Sequence, residues 1–139
     1  MCVGRTILIM SFFFVIIILG DYMIKIELDY DFENLNEMIR LSRGNRYGAN
    51  NQKKNEMMFV KMSTLRVPKI EEYPVKIEAI WHVKNRCFDL DNKVLKNVLD
   101  GLVKARILKN DNYNCINEIT YKAIVDGEQK LELIIDKNC

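Results

Sequence analysis

Between Val75 and Asp111 the hydrophobic period changes once, from two to about 3.6, and that switch constrains the fold more than any other feature of the chain. Val75, Ile77, Ala79, Trp81 and Val83 alternate with Lys76, Glu78, Ile80 and His82. The segment therefore reads as a strand with one buried face and one mixed face. From Lys93 onward Val94, Leu95, Val98, Leu99, Leu102 and Val103 fall on one arc of a helical wheel, the buried face of an amphipathic helix. Asp91 and Asn92 are suitable helix starters, because a short side-chain oxygen can accept from an orphan N–H of the first turn. The helix is expected to fade near Ala105 and Arg106, giving way to a polar loop, Lys109 to Asn114.

The junction between strand and helix carries the chemistry. Residues Phe88 to Asp111 read F-D-L-D-N-K-V-L-K-N-V-L-D-G-L-V-K-A-R-I-L-K-N-D. In extended geometry Asp89 and Asp91 leave the same face, and two like charges held that close call for a cation. Lys96 and Asp100 are four apart and can meet on the helix surface. If the loop after the helix returns to its start, Asp111 joins Asp89 and Asp91, giving an oxygen-rich site of the kind that holds Mg²⁺ with several waters retained. Taken singly, Asp91 is a helix cap, and Asp100 and Asp111 are solvated surface. Taken as this spaced set, they are candidate metal ligands.

This stretch resembles the signature of the RusA-type Holliday junction resolvases, small dimeric Mg²⁺-dependent endonucleases met in bacteria and prophages. The family pattern is Asp-x-Asp-Asn, a lysine shortly after, an Asp four residues beyond followed by Ala or Gly and Leu, and an acidic pair eleven residues on. Asp89, Asp91 and Asn92 match the first part, Lys96 the lysine, Asp100-Gly101-Leu102 the next, and Asp111 the second acid of the pair. One extra residue separates Asn92 from Lys96, so Lys93 competes with Lys96 for the lysine's role; the spacing to Asp100 favours Lys96. Asn110 stands where the pair has its first acid. The wider likeness runs from about Met23 to Ile135 and includes Leu35-Asn36-Glu37 and Tyr73-Pro74-Val75-Lys76-Ile77. The resemblance implies Asp89, Asp91 and Asp111 as ligands of Mg²⁺ or Mn²⁺ and Lys96 as the catalytic lysine. Asp100 and Asn92 support them, and no organic cofactor is implied. It further implies a cytoplasmic homodimer that nicks four-way DNA junctions in recombination and repair.

Charge is distributed to suit such a partner. The whole chain is only +2, yet residues 34–70 hold eight basic side chains against two acidic ones, leaving the remainder net acidic. Arg40, Arg43, Arg46, Lys53 and Lys54 are the candidate phosphate contacts, and Arg43 to Gly48 reads as a turn-rich loop in which Tyr47 could stack on a base. A helix is expected over about Asn51 to Leu65. By composition alone this basic run is a solvated face; the resemblance turns it into a DNA-facing arm.

A length of 139 residues, 49% hydrophobic and 29% charged, describes one globular domain rather than a disordered chain. Asn117 to Val125 reads as a strand, Asp126-Gly127 as a tight hairpin turn and Lys130 to Ile135 as a second strand. The expected fold is thus α/β (α+β), a mixed sheet with two main helices, over residues 23–139. Residues 1–22 stand apart. Ile7 to Leu19 is apolar except for Ser11, too short to span a bilayer and lacking a clear cleavage site, so it reads as signal-like or as a mis-assigned start before Met23. Cys2, Cys87, Cys115 and Cys139 show no paired spacing, which argues for free thiols and against a zinc site with His82, the only histidine. Two other readings follow from the same residues: a non-catalytic binder of branched DNA with structural acids, or a membrane-tethered interaction protein if the apolar segment is retained.

Overall fold

The computed structural model describes residues 23–137; the expectations for residues 1–22, and for Cys2 and Cys139, lie outside them. Four strands, β1 (Met23–Leu28), β2 (Val75–Val83), β3 (Ile116–Val125) and β4 (Lys130–Lys137), form one mixed sheet in the order β1-β4-β2-β3. β4 is antiparallel to both of its neighbours, whereas β2 and β3 are parallel. Three helices, α1 (Leu35–Gly44), α2 (Arg46–Ser63) and α3 (Lys96–Lys104), complete the α+β domain. Among the described residues no helix is long and apolar enough to cross a membrane.

β2 behaves as its alternation predicts. Val75, Ile77, Ala79, Trp81 and Val83 are all buried, and they meet Ile26 and Leu28 of β1 and Leu131, Leu133 and Ile135 of β4 in one core. The helical arc supplies the other layer through Leu95, Val98, Leu99 and Leu102. Phe32 and Tyr30, just past β1, pack with Phe59 of α2 at ring separations of 4.7–6.3 Å, tying the first bend to the helical layer.

Three local expectations are corrected. First, α3 begins at Lys96, not at Asp91 or Lys93. Leu90–Asn92 forms a separate 3-10 turn, Lys93 returns to extended backbone, and the residue before α3 is Leu95, which has no capping oxygen. Asp91 is therefore not the cap of this helix. Second, the expected loop around Arg43 to Gly48 is a single-residue break between α1 and α2. The N–H of Asn45 bonds to the Leu41 carbonyl at 2.7 Å, and its side-chain oxygen accepts from the Gly48 N–H at 2.9 Å. One asparagine closes α1 and caps α2, so there are three main helices rather than two. Third, Asp126-Gly127 does reverse the chain, with Gly127 at φ 80°, but the strands it joins are not paired. β2 lies between them, and its last carbonyl, on Val83, accepts from both Asp126 N–H (3.2 Å) and Gly127 N–H (3.3 Å). The turn bridges over the end of a strand and is no hairpin.

α2 and α3 approach closely at Gly101. A Cβ placed there would lie 2.8 Å from Val60 Cβ and 3.3 Å from the Met57 carbonyl oxygen. Gly101→Ala gains about 1 kcal/mol of helix propensity but overpacks a rigid contact at about 1–3 kcal/mol. A net loss of order 1 kcal/mol is expected, read as a lower urea midpoint with unchanged slope.

Candidate active site and nucleic-acid interface

After β2 the chain runs through exposed Lys84 to Cys87 and then presents Asp89 in extended conformation (φ −110°, ψ 123°) ahead of the 3-10 turn. The turn closes when the Asn92 N–H bonds to the Asp89 carbonyl at 3.0 Å. Asp89 and Asp91 are both exposed, and neither carboxylate is bonded to or paired with another described residue. The same holds for Asp111. These three acids are thus uncompensated by protein cations, in contrast to Asp100, which is half-buried between Lys96 (3.6 Å) and Lys53 (3.4 Å).

Lys96 and Asp100 meet as their i,i+4 spacing predicts, and Lys96 remains largely exposed. Lys93, the competitor for the lysine's role, instead sets its ammonium over the Trp81 ring, 5.4 Å from the centroid. Asn92 Oδ1 accepts the backbone N–H of Asn36 at 3.0 Å, which couples the acid-bearing turn to the first turn of α1. That bond joins two stretches 56 residues apart, and only the structure reveals it.

Asp111 is positioned separately. The loop leaving α3 turns at Arg106, which adopts φ 63°, and is held by Ile70 N–H to the Ile107 carbonyl (3.0 Å) and Lys109 N–H to the Tyr73 hydroxyl (2.8 Å). It leads into β3, whose first residue, Ile116, pairs with Val75 at the start of β2, whereas Asp89 and Asp91 follow the end of β2. The expected gathering of all three acids is not present: they do not belong to one set of ligand atoms within 4.8 Å. Asp89 and Asp91 stay together on one turn.

Of the basic residues, Arg40 is tied to Glu37 at 2.6 Å and Lys53 to Asp100. Arg43, Arg46 and Lys54 are exposed and have no ion pair among the described residues. Tyr47, 78% exposed, stands beside them at the start of α2. A surface of cations plus an aromatic face can take phosphates and a stacked base.

Beside Asp89 opens a cavity of about 490 Å³, lined also by Asn92, Lys93, Trp81, His82 and Lys130. His82 is the partly exposed strand residue its place in β2 suggests, and the structure adds its partners: it lies between two acids, with Nδ1 2.5 Å from Asp126 Oδ2 and Nε2 3.1 Å from Glu132 Oε2. Cys115 is buried and Cys87 exposed, and neither joins His82 in a ligand set. Burial alone would lower the His82 pKa, but the hydrogen bonds with Asp126 and Glu132 outweigh it and raise the value above its ordinary range. A raised folded-state pKa contributes stability that is fully present below the unfolded value of about 6.5 and is lost as pH rises through the folded value. In EDTA-containing buffer, therefore, the melting temperature is expected to fall as pH rises from about 6.5. His82→Asn should flatten that slope.

No family model matches the chain, and no curated protein matches its sequence.

Proposed function

We propose that the chain is a metal-dependent endonuclease acting on DNA. Within that class we infer a RusA-type resolvase, which nicks four-way junctions in opposed strands. The observation that carries the reading is the spaced set Asp89-x-Asp91-Asn92, Lys96, Asp100 and Asp111, in which Asp89 and Asp91 pair with no cation among the described residues while Asp100 pairs with two. Uncompensated, exposed carboxylates are hard oxygen donors with room for retained waters, which suits Mg²⁺ better than a closed transition-metal site.

Asp89 and Asp91, together on the 3-10 turn, would hold the ion, whereas Asp111 belongs to the spaced set in sequence and stands on a separate loop. A bound Mg²⁺ supplies charge neutralisation at the phosphodiester and a more acidic attacking water. The chain's own residues do the rest. Lys96, oriented by Asp100, can grip a phosphate oxygen or offset charge developing on it. Asn92 holds the turn against α1, so that the acids and the cationic helices share one frame. Arg43, Arg46 and Lys54 fix affinity and register through phosphates, with Tyr47 as a stacking platform.

A four-way junction is two-fold symmetric, so a domain with one site is expected to act as a homodimer. The test is cleavage of a synthetic four-way junction by the full chain, with Mg²⁺ and with EDTA, beside a linear duplex. Paired symmetric nicks in the junction and only with Mg²⁺ are the expected result. Binding without nicks would favour a non-catalytic branched-DNA binder, and equal cutting of all DNA would remove the junction from the reading.

A further inference from the structure

We propose a second phosphate-binding site for DNA, a cationic recess between the ends of α2 and α3 lined by Lys61, Lys69, Lys104 and Arg106. It rests on the DNA-binding part of the reading above and uses none of the residues assigned there. The recess has a volume of about 430 Å³, and no acidic side chain among the described residues lines it. All four cations are exposed, and none has an ion pair among the described residues. Lysines on the sheet differ: Lys25, Lys76, Lys122 and Lys130 each lie within 3.9 Å of an acid. Unpaired charges of one sign gathered on a concave surface repel one another and focus a positive potential, and a polyanion relieves the repulsion.

Arg106 sets the recess apart from a solvated face. α3 ends in the bond pattern of a helix stop that ordinarily uses glycine: the Arg106 N–H bonds to the Val103 carbonyl at 3.0 Å, and the Ile107 N–H to the Leu102 carbonyl at 3.0 Å. The residue at that position takes left-handed backbone, and Arg106 does so at φ 63°. A side chain is strained there and glycine is not. Arginine thus holds a position where the backbone favours glycine, and the guanidinium it brings lines the recess. The opposite wall is fixed to it, because the Ile70 N–H bonds to the Ile107 carbonyl at 3.0 Å and so joins the loops that carry Lys69 and Arg106. Lys61 and Lys104 lie in the last turns of α2 and α3, where each also offsets the negative end of a helix dipole. Lys69 lies on neither helix.

The recess is separate from the cations already placed on DNA. Arg46 opens α2 and Lys61 lies in its last turn, so at about 1.5 Å per residue they stand about 22 Å apart along the axis. That exceeds the width of a major groove, about 12 Å, so the two sets of cations meet different stretches of backbone. The diverging arms of a junction offer such stretches. Three ammonium groups and one guanidinium suit phosphate oxygens, and contacts of that kind carry affinity without reading bases.

The test is binding of a synthetic four-way junction by the full chain in EDTA, followed by fluorescence anisotropy across a salt series. Arg106→Gly and Lys69→Ala are each expected to bind about fivefold more weakly near 0.15 M salt, with the slope of log affinity against log salt reduced by about 1. Combined with Arg46→Ala, the losses should multiply, as for independent contacts. The thermal midpoint of Arg106→Gly should hold or rise, since glycine suits the left-handed position. Parental affinity and slope in both variants would overturn the proposal. So would weaker binding by Arg106→Gly together with a lower thermal midpoint, which would make the arginine structural. A parent chain that binds no DNA would overturn the proposed function and this site with it, whereas a binding parent indifferent to the recess overturns the site alone.

Discussion

Asp91→Asn is expected to bind a four-way junction as tightly as the parent chain and to cut it at least about a hundredfold more slowly in Mg²⁺, the scale on which loss of one electrostatic stabiliser lowers turnover. The separation of binding from cleavage is the informative part. Asp91 is exposed and pairs with nothing among the described residues, so the substitution removes no packing or ion pair. Stability should stay within about 0.5 kcal/mol. Binding should persist because the cations that would hold phosphates lie on α1 and α2, and removing an acid near DNA does not weaken them. Gel-shift affinity and single-turnover cleavage, measured on the same preparation, make the comparison. Full cleavage by the variant would leave Asp91 without a catalytic role and sink the proposed metal site.

The second large effect concerns Glu56, a carboxylate only 2% exposed in the middle of α2. It accepts from the Glu33 N–H at 2.7 Å, from Gln52 Nε2 at 3.3 Å and from Asn97 Nδ2 at 2.6 Å. The segment before α1, α2 itself and α3 thus meet on one side chain, and α3 is the helix that carries Lys96 and Asp100. Glu56→Ala strands one buried donor, Asn97 Nδ2, at about 1–3 kcal/mol, and two part-buried donors at less, so a loss of about 2 kcal/mol or more is expected. Glu56→Gln should cost less, about 1 kcal/mol. Asn97 Oδ1 is buried and unpartnered, so a turned Asn97 amide could accept from the new amide. Urea midpoints of the two variants give the answer. Equal destabilisation would show that the charge of Glu56 matters and not the count of satisfied donors.

How far the sequence reaches is clearest in β2 and its surroundings. A period of two marked each of its core residues, because the pleat alone decides which side chains share a face. β3 begins one residue earlier than read, and α3 stops at Lys104 near the expected fade. The Lys96–Asp100 contact follows from helical geometry alone. What was misjudged depends on partners far along the chain. Asp126-Gly127 signals a reversal, but a turn does not say whether its two strands pair or admit a third between them. β4 instead pairs on both sides, with β1 and β2, and β3 takes the outer edge beside β2. The start of α3 was displaced for a similar reason: Asp91 and Asn92 have the chemistry of caps, yet Asn92 is engaged by Asn36, and the helix begins after the chain has turned back to extended geometry at Lys93.

The candidate site divides along the same line. The residue types and their spacing between Asp89 and Asp111, and the basic bias of residues 34–70, are properties of the sequence and needed no coordinates. Tertiary structure alone decided that Asp89 and Asp91 share a turn while Asp111 sits on a separate loop, that Glu56 anchors three segments, and that His82 meets acids 44 and 50 residues away. Periodicity and capping act over a few residues and are written locally. Which strand fills a gap, and which charge meets which, is set by the packing of one shared core, where each contact is chosen against every other.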